Sequence, residues 1–183
     1  APDGVLALTM PMGSERLPGI AVADIGKVAY AIFKQGDAFI GSRIAIAGEH
    51  LTGRQMAAAL TRALGEEVRY QDVDADVYRA FDFPGADEMG NMYQFNRDFS
   101  TMFCEARDLT QTRALNPALQ TLLTWAQERS GHGADGRFME IEEGAWYSFA
   151  NEDMKSGKLL VVCPEYQLDG LDQLMATLDR ADL

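Results

Sequence analysis

The sequence has no apolar run near the roughly 20 residues that a bilayer-spanning helix needs, and no stripe of lysine and arginine. The first absence excludes a membrane-spanning helix. The second excludes direct binding to a phosphate backbone, which needs clustered cations. With 16 basic against 28 acidic residues the net charge is -12, so an anionic membrane surface is excluded on the same ground. Cysteine is scarce: Cys104 and Cys163 lie far apart without metal-ligand spacing. They read as free thiols of a reducing compartment, the cytoplasm. Histidine is as scarce, and His50 and His132 have no carboxylates or thiols at zinc-ligand spacing. The opening residues, "APDGVLALTMPMG", lack the basic and long apolar regions of a signal peptide. They also lack an initiator methionine, so the chain reads as processed, trimmed or a fragment.

What is present is ordinary for a globular protein: 183 residues, 47% hydrophobic and 24% charged. Residues 21–34, "AVADIGKVAYAIFK", place Ile25, Val28, Ala29, Ile32 and Phe33 on one helical face, with Asp24 near the start. "IGSRIAIAG" reads as a short strand, and residues 53–64 as a helix with Met56, Ala59, Leu60, Ala63 and Leu64 inward and Gly65 at its end. "EVRYQDV" alternates as a second strand. A short helix, a break at Pro84-Gly85 and a longer helix follow, rich in Phe, Tyr and Met. Asn116-Pro117 reads as the start of a third clear helix.

The turn between the first strand and its helix, "GEHLTGRQ", nearly matches the phosphate loop G-x-x-x-x-G-K-[ST]. That loop needs a lysine for the phosphates and a hydroxyl for magnesium. Here Arg54 and Gln55 stand in those places, so the metal ligand is missing. A helix start explains every residue: Thr52 and Gln55 form a capping box, and Leu51 and Met56 a hydrophobic staple. The string "GHGADG", residues 131–136, has G-x-G-x-x-G spacing, but it falls between an expected helix and an expected strand and not at the strand-to-helix turn of a dinucleotide site.

At "SGHGADG", residues 130–136, the composition shifts. The first 130 residues hold 12 basic and 17 acidic residues, the last 53 hold 4 and 11. Two parts are expected, 1–130 and 131–183. The second reads as strands "RFMEIEE", "AWYSFAN" and "KLLVVCPEY" and a helix "LDGLDQLMATLDRA", too small to fold alone with much margin. It is expected to form a small β-rich unit or to pair along an open sheet edge. Its acidic surface reads as solvated, with docking of a basic partner as the lesser reading.

The pieces "LPGIAVADIGKVAYAIF", "IGSRIAIAGEHLTGRQMAAALTRALGEEVRY", "VYRAFDFPGADEMGNMYQF" and "ALNPALQTLLTWAQ" occur in order, and over residues 1–130 the chain resembles the C-terminal half of NmrA-like proteins. These are atypical short-chain dehydrogenase relatives that bind NAD(P) and often serve as redox sensors or regulators. Residues 131–183 resemble nothing recognised. The resemblance implies an α/β fold: a partial Rossmann-like arrangement with few strands and several helices, plus a small β-rich C-terminal extension. It implies NADP or NAD as the cofactor of the full-length family. The family's glycine-rich turn lies in its N-terminal half, so no cofactor is expected in this chain.

The implied function is regulatory, NAD(P)-sensing in type, and exercised here through protein contacts. The alternative is part of an NAD(P)-dependent oxidoreductase. No catalytic residue and no metal ligand is recognised. Tyr30 and Lys34 have Y-x-x-x-K spacing, but fall after the place of that motif in the family. The resemblance suggests that the aromatic and methionine cluster contributes one wall of a cleft, at Phe81, Phe83, Met89, Met92, Tyr93 and Phe95, with Phe99, Met102 and Phe103 following. Otherwise the cluster reads as core. An open strand edge invites association, so a protein partner or self-association is expected, and no nucleic acid or membrane.

Overall fold

The computed structural model describes residues 5–130 and the backbone of two later strands, 147–149 and 159–163. The order is β1 (Leu6–Met10), β2 (Arg16–Gly19), α1 (Val22–Lys34), β3 (Glu49–Thr52), α2 (Gly53–Leu64), β4 (Val68–Asp72), α3 (Ala75–Arg79), α4 (Ala86–Asp98), α5 (Ser100–Glu105), α6 (Leu109–Leu115), α7 (Leu122–Ser130), β5 (Tyr147–Phe149) and β6 (Leu159–Cys163). It is an α/β fold of few strands and several helices, as expected. No described helix is long and apolar enough to cross a membrane.

The centre is β1, whose residues "LALTM" are all buried. It pairs in parallel with β4 over its whole length, Leu6 opposite Val68 and Met10 opposite Asp72. On its other edge it pairs in parallel with β6, at Ala7–Leu159 and Leu8–Leu160, and β5 joins β6 antiparallel. The tail thus contributes strands to the edge of the main sheet. Parallel strands covered on both faces read as short apolar runs without alternation, so "LALTM" carries no period-two signal. The expected strand "RFMEIEE" and the tail helix lie outside the described residues.

Leu6, Leu8 and Met10 meet Met56, Ala57 and Leu60 of α2 and Leu122, Trp125 and Ala126 of α7 in the main core. Helix α2 starts as its sequence dictates. Thr52 Oγ1 accepts from the Gln55 N–H at 3.2 Å, and the Gln55 side chain accepts from the Thr52 N–H at 2.9 Å. Gly65 ends it in the left-handed region at φ 73°, which glycine adopts without a Cβ penalty.

Three elements differ from the sequence reading. Residues 40–48, expected as a strand, form no ladder. The strand is Glu49–Thr52, paired antiparallel with β2. The apolar run is instead held edge-on: Ala47 N–H reaches Thr112 Oγ1 at 3.4 Å and Gly48 N–H reaches the Gly19 carbonyl at 2.7 Å. The helix expected from Asn116-Pro117 begins at Leu122. Asn116 is occupied in a turn, accepting from Ala118 N–H and donating to Asp24 Oδ1. Helix α7 is capped twice, by Thr121 Oγ1 accepting from the Thr124 N–H at 3.0 Å and by Glu49 Oε2 accepting from the Leu122 N–H at 2.6 Å. On α1, Ile25 and Phe33 of the expected inward face are 41% and 61% exposed, while Asp24 is fully buried.

Asp24 accounts for that orientation. Its carboxylate accepts from Lys27 Nζ at 2.8 Å, Asn116 Nδ2 at 3.1 Å and Gln120 N–H at 2.8 Å. Burial pushes its pKa up, but the Lys27 ammonium and the donors from Gln120 and Asn116 outweigh it and hold the carboxyl below its ordinary value. A buried charge is tolerated only when paired and hydrogen-bonded in this way. Asp24→Ala strands the Asn116 amide and the Gln120 N–H, and is expected to cost about 3 kcal/mol in urea unfolding. Because the folded pKa is depressed, the Asp24 contribution is present above the ordinary carboxylate range and is lost as pH falls through the folded value. Acid unfolding of the variant should therefore depend less steeply on pH than that of the wild type.

Candidate functional site

Open α/β sheets bind ligands beyond the carboxyl ends of their strands. Beyond the end of β1 lies a cleft of about 670 Å³, between Met12–Glu15 and the junction of α4 and α5 at Arg97–Met102. Such a volume is within the range of small-molecule sites, although this cleft is wide open. Its floor is rigid. The Gly13 N–H donates to Asp72 Oδ1 at 2.9 Å, and the Tyr70 hydroxyl lies 3.2 Å from both that oxygen and the Met10 carbonyl. Burial and the Asp72 carboxylate push the Tyr70 hydroxyl well above its ordinary value, so it stays protonated. Ser100 ties the wall to β2, donating to the Arg16 carbonyl at 2.7 Å and accepting from the Arg16 N–H at 3.2 Å.

The aromatic and methionine cluster divides between two surfaces. Met89 and Tyr93 are buried in the core, and Phe81, Phe83 and Met92 pack against it. Tyr78 gathers the rings of Phe81, Phe83 and Tyr93 at centroid distances of 5.2, 5.9 and 5.4 Å. Phe95 faces the other way. With Phe99, at 4.8 Å, and Phe103, at 5.5 Å, it makes a ridge along α4 and α5. Arg107 closes the ridge, its guanidinium 4.3 Å from the Phe103 ring centre. Phe95, Phe99 and Met102 are 47%, 48% and 53% exposed, and the last two line the cleft. The sequence placed these nine residues in one cluster. Helical spacing alone does not say which of two opposite faces meets the core.

The turn at Gly48–Gly53 is filled by the protein's own groups. A Cβ on Gly53 would stand 2.2 Å from the Tyr70 ring, and one on Gly48 would press on the carbonyls of Gln120 and Gly19 at 3.3 Å. The N–H groups of Thr52 and Gln55 are engaged in the capping box. The glycines therefore serve close packing, and the turn does not fit a pyrophosphate. Tyr30 is exposed, and Lys34 Nζ sits over its ring at 5.5 Å from the centre. That is a cation–π contact, away from the pocket. Among the described residues no group of His, Cys, Asp or Glu is placed to hold a metal.

The family model for the NmrA-like family matches residues 1–125. The chain belongs to the NmrA-like family. Among solved structures it is similar to NmrA, a negative transcriptional regulator, at 24% identity and TM-score 0.53, over 70% of this chain and 44% of that one. It is similar to NmrA in complex with NADP at 24% identity and TM-score 0.50, over 74% and 48%. It is also similar to a nucleoside-diphosphate-sugar epimerase from Staphylococcus aureus at 25% identity and TM-score 0.56, over 66% and 43%. The chain thus spans less than half the length of these structures. The fold is that of the family's partial Rossmann-like portion.

If Gly53 is a packing glycine, Gly53→Ala should destabilise the chain by about 1–3 kcal/mol through overpacking against Tyr70. Combining it with Tyr70→Ala should recover part of the Gly53→Ala loss relative to Tyr70→Ala alone, in a double-mutant cycle read by thermal unfolding. An additive cycle would show that Gly53 is needed for something other than room for the ring.

Proposed function

We propose that this chain is the contact-making portion of an NmrA-like regulator of the NAD(P)-sensing type, and that it acts by binding protein rather than by transforming a substrate. The observation that carries the reading is the apolar ridge of Phe95, Phe99, Met102 and the half-buried Phe103, whose exposed Phe99 and Met102 line an open cleft. Contiguous exposed apolar surface of this kind marks interaction sites. Aromatic side chains and methionine are enriched at such surfaces. The NmrA relatives, described as negative transcriptional regulators, support the regulatory class, and one of them was solved with NADP. In this chain the turn nearest to a phosphate loop is closed by its own cap and by Tyr70. On this reading the dinucleotide contacts of the family belong to residues outside 5–130.

A second reading, part of an NAD(P)-dependent oxidoreductase, draws on the epimerase neighbour. The Tyr30 and Lys34 pair does not support it, because Lys34 stacks on the face of Tyr30 at an exposed position.

Calorimetric titration of the folded 183-residue chain with NADP and with NAD tests the proposal. No saturable heat at micromolar nucleotide is expected. Sedimentation over a range of concentrations should show association that Phe99→Ser weakens without lowering the melting temperature, since Phe99 is half exposed. Micromolar nucleotide binding that Arg54→Ala abolishes would sink the reading and put the site back at the Gly48–Gly53 turn.

A further inference from the structure

Helix α1 carries an apolar face that no described element covers. Its buried side holds Asp24 and Val28, and among the described residues it packs chiefly against α6 and the 3-10 turn at Gly36–Phe39. Away from that side Ile25, Tyr30 and Phe33 are exposed, and so is Ile40 just beyond the helix. Ile25, Ala29 and Phe33 stand four residues apart, which makes one row along the helix. Lys27 and Lys34 are also exposed, and they are the only lysines of the first 130 residues. Arg43 follows on the exposed stretch after the turn. Asp24 is buried and engaged, so Asp37 is the one exposed carboxylate between residues 21 and 43. In a chain of net charge -12, this face is apolar and basic.

The chain itself supplies a segment of the opposite kind. Residues 164–183, "PEYQLDGLDQLMATLDRADL", follow β6 and lie outside the described residues. Leu168, Leu171, Met175 and Leu178 recur at i, i+3, i+7 and i+10, the spacing of one helical face. Glu165, Asp169, Asp172, Asp179 and Asp182 stand against a single cation, Arg180. The segment also starts at the right end of the sheet. β6 runs parallel to β1, so the two strands finish at the same end. From that end β1 leads through β2 into α1, whose first turn is tied by Asp24 to the loop before α7.

We propose that residues 168–180 dock as an amphipathic helix along the exposed face of α1, their leucines and Met175 on Ile25, Ala29 and Phe33 and their aspartates toward Lys27 and Lys34. Apolar burial supplies most of the attraction. The charges select the face and are screened by salt. Face and segment belong to one chain and meet at a high effective concentration, so a modest contact is enough to hold them together. The contact covers the second apolar surface of the protein. It does not depend on the ridge of α4 and α5, which stays exposed.

Zero-length carbodiimide coupling of the full chain, read by mass spectrometry after proteolysis, tests the contact. It joins an amine to a carboxylate only where the two touch. Lys27 or Lys34 should couple to Asp169, Asp172 or Asp179. In a mixture of isotope-labelled and unlabelled chains, each coupled pair should come from one chain. Leu171→Ser with Met175→Ser should lower the yield about tenfold, and Phe33→Ser should do the same. Phe99→Ser should leave it unchanged, which separates this contact from association through the ridge. Hydrogen exchange at residues 168–180 should quicken in Phe33→Ser while α2 keeps its protection. Lysines of α1 that couple to no carboxylate of 164–183 would overturn the proposal. So would coupling only between different chains, which would make a second copy the occupant, or a yield that the apolar substitutions leave unchanged.

Discussion

The arrangement of the helices depends on one buried carboxylate. Asp24 has no exposed surface, and its charge survives burial because three donors converge on it, one from its own helix and two from a distant loop. Two of them, the Asn116 amide and the Gln120 N–H, come from the loop before α7. That loop cannot become helix without abandoning the carboxylate, which is why α7 starts only at Leu122. Glu49 then adds a distant cap to the local one of Thr121, at 2.6 Å from the Leu122 N–H. Two acidic residues, at the start of α1 and on β3, thereby set where a helix some seventy to a hundred residues later begins, and α7 in turn completes the core over β1.

The same logic separates the Gly48–Gly53 turn from the nucleotide loop it resembles. A phosphate loop keeps its glycines so that backbone N–H groups approach a ligand. Here Gly48 is pressed between the carbonyls of Gly19 and Gln120, and Gly53 lies under the Tyr70 ring. Tyr70 itself is fixed by Met10 and Asp72 beyond the end of β1. Both glycines are thus accounted for by packing against the elements that the Asp24 loop and the sheet have positioned. Membership of an NAD(P)-binding family does not turn this turn into a binding site.

Where a structural signal was local, the sequence carried it. The Thr52–Gln55 capping box, the left-handed Gly65, the alternation of "EVRYQDV" and the break at Pro84-Gly85 all concern residues a few positions apart. Where the deciding partner was distant, the signal was absent. "IAIA" has strand composition, but its partners are Thr112 and Gly19, so the ladder forms one segment later. Asn116-Pro117 has the local form of a helix start, but Asn116 serves Asp24. The strand "LALTM" is covered on both faces and shows no alternation. In the candidate site, Phe99 and Met102 belonged to a cluster visible in the sequence. The cleft they line requires Met12–Glu15, and nothing local marks those residues as facing α5.

Two regions expose apolar side chains, and they are built differently. On α1 and just after it, Ile25, Tyr30, Phe33 and Ile40 are exposed, and the ring contact there is that of Lys34 over Tyr30. On α4 and α5 the rings of Phe95, Phe99 and Phe103 are ordered against one another, Arg107 covers one end, and Ser100 secures the wall to β2. Ring-to-ring contact fixes the side-chain rotamers before any partner arrives, which lowers the ordering cost of association. Aromatic surface ordered ring against ring at the mouth of a cleft is therefore better prepared for a specific contact than apolar side chains exposed without such ordering. That difference in preorganisation is the reason the proposed contact face is placed on α4 and α5 rather than on α1.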